Sequence, residues 1–83
     1  MGLYFKAFSH KRGKTKGTLP TECREIALEA TPEVLREIAK FINHAASVLE
    51  AKPVDEEAHM HFQDQWKSWS EKFPDIVVVA HRS

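Results

Sequence analysis

The sequence predicts a two-layer α+β domain in the order ββαββ, and three observations carry that prediction. One strongly amphipathic helix occupies the middle of the chain. Period-two segments flank it on both sides, and a nearly unbroken apolar run, Ile76 to Ala80, lies close to the C-terminal end. With 83 residues and 42% apolar content, the expectation is a single domain over residues 1–83 with one thin core.

The first strand is expected at residues 3–8, where Leu3, Phe5 and Ala7 alternate with Tyr4, Lys6 and Phe8, both sets apolar enough to be partly buried. Residues 9–20 read as a loop with Gly13, Gly17 and Pro20 and no apolar period. The second strand is expected at 22–30, with Ile26, Leu28 and Ala30 inward and Glu25, Ala27 and Glu29 outward. Cys23, the only cysteine, falls on its outward register, and an inert thiol is the expectation.

The helix is expected from Thr31 to about Ala51. Thr31 suits the N-cap, Pro32 suits the first helical position, and Glu33 and Glu37 put negative charge at the positive end of the dipole. Leu35, Ile38, Ile42, Ala45 and Leu49, widened by Val34, Phe41 and Val48, form one broad apolar stripe. Pro53 stops the helix, and an acidic loop follows to Glu57. The third strand is expected at 58–63, with Ala58, Met60 and Phe62 inward and His59, His61 and Gln63 outward. Residues 64–73 read either as a short helix, at about 64–72, or as an irregular turn anchored by Trp66 and Trp69. The last strand, 75–81, is apolar on both faces and therefore expected to be central. These elements assemble into one four-stranded antiparallel sheet of spatial order 1-2-4-3, with the helix across one face and the other face open.

Charge is balanced overall but not along the chain. Residues 1–20 carry Lys6, Lys11, Arg12, Lys14 and Lys16 and no acid, while residues 21–83 carry seven bases and twelve acids. The basic loop suggests phosphate binding, and Gly13-Lys14-Thr15 resembles the end of a nucleotide-binding loop. The glycine that opens such a loop is absent, with Phe8 in its place, and no helix follows. Nucleic-acid binding through Lys11, Arg12, Lys14 and Lys16 is kept as an alternative, although the chain as a whole lacks a basic footprint and the loop lacks interleaved aromatics.

Three histidines define the second candidate. His59 and His61 are two apart on one strand and share a face, and His81 falls on the outward register of the last strand. Three imidazoles and a water would suit zinc. Histidine pairs on strands are common without metal, so His59, His61 and His81 stand as candidate ligands with no metal favoured and no cofactor expected. The third candidate is the open sheet face, where Val77, Val79, His59 and His61 form an apolar and aromatic patch with Ala27. A protein partner or a face-to-face homodimer would cover it, unless the segment holding Trp66 and Trp69 folds over it instead. No nucleophile, base and acid are brought together by this topology, so catalysis is not expected. The longest apolar run is too short to span a bilayer, and the cytoplasm is the expected location.

Several of these segments share a pattern. Glu29-Ala30 leads into the helix that opens Thr31-Pro32-Glu33-Val34 and continues through Phe41-Ile42; His59-Met60-His61-Phe62 and Asp75-Ile76-Val77-Val78-Val79 follow. The pattern resembles the small immunity proteins of bacterial polymorphic-toxin systems, in particular immunity protein family thirty-two, over about residues 24–81. The resemblance rests on neither the basic loop nor the Trp66–Trp69 segment. The resemblance implies a bacterial protein that binds and neutralises a toxin without catalysis. The binding surface expected from the residues comprises His59, His61, Trp66, Trp69, Val77 and Val79, helped by Lys11, Arg12, Lys14 and Lys16.

Overall fold

The computed structural model describes residues 3–10, 20–52 and 58–81. The protein is α+β: β1 (Ala7–Ser9), β2 (Thr21–Cys23), α1 (Pro32–Glu50), β3 (His59–His61), α2 (Phe62–Gln65) and β4 (Val77–Val79). All strand pairing is antiparallel, and the neighbours 1-2 and 4-3 of the expected order are present. Among the described residues, β2 and β4 are not joined, so the strands form two separate two-stranded ladders.

The helix begins as its sequence dictates. Thr31 takes an extended conformation, with φ −71° and ψ 158°, and its Oγ1 accepts the Val34 N–H at 3.4 Å. Pro32 occupies the first turn, where the absent N–H costs nothing. At the other end, the Ala51 N–H donates to the Val48 carbonyl and the Lys52 N–H to that of Leu49, each at 3.2 Å, tightening the last turn. Pro53 lies outside the described residues. The exposed Lys40–Glu37 pair, at 3.3 Å, contributes only a few tenths of a kcal/mol.

One face of α1 packs against β3, β4 and the connection between them. The core comprises Ile38, Phe41, Ala45 and Leu49 from the helix, with Ala58 and Phe62, and Val34, Met60, Ile76, Val78 and Ala80 surround it. The stripe is rotated from its expected centre: Leu35 and Ile42 are 41% and 47% exposed, and positions 34, 38, 41, 45 and 48 face inward. The cause is the width of the covering surface. A two-stranded ladder spans less of the helix than four strands would, so one flank of the apolar arc, at Leu35 and Ile42, is left uncovered.

The expected inward set of the third strand, Ala58, Met60 and Phe62, is inward. The last strand is shorter and differs in character from the expectation. Ile76, Val78 and Ala80 pack on the core while Val77 and Val79 point away, so it alternates like a strand with one open face. The short helix precedes its expected position and has only one turn. Its N-terminal residue, Phe62, is 2% exposed and is in the core.

The N-terminal ladder departs most from expectation. Residues 3–6 are irregular, and Leu3, Phe5 and Phe8 are exposed. Pairing between β1 and β2 stops at Ala7↔Cys23, so residues 25–30 have no ladder, and Ile26, Leu28 and Ala30 are exposed instead of inward. Cys23 is half-buried, its thiol directed to the Thr21 carbonyl at 3.6 Å. No apolar side chain from either segment belongs to the core cluster.

Phe62→Ala should cost about 3–5 kcal/mol, a large fraction of what a domain this small possesses; urea denaturation should show loss of the folded baseline. Thr31→Ala should cost about 1 kcal/mol, read as a lower urea midpoint at unchanged slope.

Candidate functional site

The open face of the β3–β4 ladder is built by register. His59 pairs with Val79, Met60 with Val78 and His61 with Val77. Alternation then puts His59, His61, Val77 and Val79 on the side away from the helix, and Met60 and Val78 beneath them in contact with the core. Val77 is 47% and Val79 66% exposed, so two branched apolar side chains stand side by side on the open face. Four of the five side chains expected to share this face are thus brought together.

The imidazoles of His59 and His61 meet edge to face, with ring centroids 5.3 Å apart. His61 is held from behind: its Nδ1 lies 2.7 Å from Asp75 Oδ2, and the other oxygen, Oδ1, accepts the Gln63 N–H at 2.9 Å. Extending the register by two residues sets Asp75 opposite Gln63, which explains the second bond. A carboxylate at this end of the ladder thus replaces the backbone acceptor that a longer strand would provide. Because the carboxylate accepts, Nδ1 carries the imidazole hydrogen and Nε2 is left for other partners. Asp75 did not emerge from the sequence as a site residue. The signal was available: an acid immediately before an apolar strand falls diagonal to His61 once the antiparallel register is fixed.

His81 does not join this pair. It lies two residues beyond the partner of His59, and its ring is stacked on Tyr4, with centroids 3.6 Å apart and planes within 9°. Lys6 Nζ lies 5.8 Å from the same Tyr4 ring. The candidate grouping of three imidazoles is therefore not formed. Among the described residues, no group of three or more His, Cys, Asp or Glu side chains is placed to hold a metal ion.

Trp66 and Trp69 are half-buried on the core side of the ladder. Trp66 stacks between Phe62, at 5.3 Å, and Phe73, at 5.8 Å, while Trp69 Nε1 donates to the Pro74 carbonyl at 3.0 Å. These contacts brace the connection between β3 and β4, and leave Val77 and Val79 uncovered. Ala27 is exposed on the irregular 25–30 segment, away from any ladder. Lys11, Arg12, Lys14 and Lys16 lie outside the described residues. A shallow groove of about 270 Å3 adjoins the open face, between the last turns of α1 at Ala46 and Leu49 and the β4 side at Val79 and His81. Among the described residues, no helix is long and apolar enough to cross a membrane.

Asp75→Ala should release both the His61 ring and the Gln63 N–H. The expected result is faster amide exchange at Gln63 by hydrogen-exchange NMR, with Met60 and Val78 amides unchanged.

Residues 25–82 match the family model Imm32, Immunity protein 32. No curated protein and no solved structure matches the chain. The matched span holds α1, β3, α2 and β4, the elements that build the core and carry the His59–His61 face, whereas β1 and β2 precede it. The chain belongs to the immunity protein 32 family.

Proposed function

We propose that this protein acts by binding, without catalysis, and that it neutralises a toxin partner docked on the open face of the β3–β4 ladder. The observation that carries this reading is the exposure of Val77 and Val79 beside His59 and His61, on a face that neither α1 nor the Trp66–Trp69 segment covers. Membership of an immunity-protein family supports the class of partner. The face has the composition of an interface centre: branched apolar side chains for desolvation, flanked by two aromatic rings with polar edges. Trp66 and Trp69 serve it indirectly, by fixing the two strands against the core.

The test pairs the protein with the product of the gene adjoining its own. Co-expression should relieve the toxicity of that product, and the purified pair should form a complex. Val79→Asp should weaken the complex at least tenfold, because a carboxylate would be desolvated without a partner, while changing stability by less than about 0.5 kcal/mol. A neighbouring product that is not toxic, or full protection by Val79→Asp, would overturn the proposal. Light scattering reports a second way of covering the same face: a wild-type dimer that Val79→Asp converts to monomer would assign these residues to self-association.

A further inference from the structure

We infer that His59 and His61 form a two-imidazole chelate for a divalent late transition-metal ion of the zinc, nickel or copper class, with Asp75 positioning one of the ligands. The inference rests on the geometry of the pair and stands apart from the partner-binding reading.

Histidines two apart on a strand project from the same face, and here their rings have already converged. With metal–nitrogen bonds of about 2.0–2.1 Å, two imidazoles sharing a tetrahedral ion have ring centres about 5 Å apart. The observed separation is 5.3 Å, which matches that spacing. Asp75 supplies the second requirement. Its carboxylate fixes the hydrogen of His61 on Nδ1 and leaves the Nε2 lone pair free, the arrangement by which outer carboxylates orient histidine ligands. Asp75 is itself held by the Gln63 N–H, so His61 is oriented before any ion arrives.

The neighbours favour the same chemistry. Val79 and Val77 lie directly across from His59 and His61 and offer no donor that would compete for the imidazole nitrogens. Two imidazole nitrogens, with the Asp75 carboxylate engaged at the Nδ1 edge of the His61 ring, suit borderline metals and discriminate against magnesium and calcium. With two protein ligands, water fills the remaining positions and the site stays open on the exposed face.

The experiment is a zinc titration of the full chain, followed through imidazole resonances by long-range 1H–15N NMR, with magnesium as the control. Zinc should move the His59 and His61 signals together at one-to-one stoichiometry, leaving His10, His44 and His81 in place, and magnesium should move none. His59→Ala and His61→Ala, both on the solvent side, should each reduce affinity at least tenfold. Asp75→Asn should weaken binding about tenfold or more, and the 15N shifts should show loss of the single Nδ1–H tautomer of His61 even without metal, a change that a merely structural role for Asp75 would not produce. The inference is overturned if His59 and His61 stay unshifted up to about 1 mM zinc, a dissociation constant that corresponds to only −4.1 kcal/mol. It is equally overturned if either single variant binds zinc as tightly as the wild type.

Discussion

The packing of Phe62 against Phe41 is the contact on which the rest of the structure depends. The two rings lie 5.3 Å apart at a tilt of 49°, and each belongs to a different half of the fold, one to the helix and one to the point where β3 ends. Phe62 also stacks on Trp66, which stacks on Phe73, so a single aromatic series runs from the helix into the connection between β3 and β4. Aromatic pairs of this kind contribute about 0.5–1.5 kcal/mol beyond simple area burial. A two-stranded ladder alone is marginal in water, so its support must come from such contacts with the helix. The backbone reinforces the same point, since the Phe62 N–H donates to the Ile76 carbonyl at 2.8 Å.

Fixing that one side of the ladder determines the other. Once Met60, Phe62, Ile76, Val78 and Ala80 are committed to the core, the period of two leaves His59, His61, Val77 and Val79 no choice of face. The aromatic connection could have folded over them, and its residues would have been suitable cover. It packs on the core side instead because Trp66 gains two ring neighbours there and Trp69 satisfies its indole N–H on the Pro74 carbonyl. The same connection delivers Asp75 to the ladder end, where it holds His61. Stability and the candidate site are therefore products of one turn-rich segment of about a dozen residues.

The N-terminal ladder follows a different logic. Its pairing is short, its aromatic side chains are exposed, and the family match begins just beyond it, at residue 25. One link from the N-terminal segment to the rest is the stacking of Tyr4 on His81. The helix flank at Leu35 and Ile42 is correspondingly bare. The elements that carry the core all lie within the span that matches the family model.

Much of this was legible from local chemistry. The capping of α1 by Thr31 and Pro32, its length, and the alternation that turns His59 and His61 outward depend only on near neighbours in the chain, and each was readable there. The α+β class followed from them. What the tertiary structure alone decided depends on which distant segments meet. The rotation of the helix that exposes Leu35 and Ile42, the unpaired state of residues 25–30, the stacking of His81 on Tyr4 and the bond between Asp75 and His61 all fall in this group. Periodicity says which residues share a face, but it is silent about what covers that face and about the register that brings an acid to an imidazole fourteen residues away. The fold class was therefore written in local pattern, and the candidate site was written in pairing, because cross-strand contacts gain their energy only when both strands are in place.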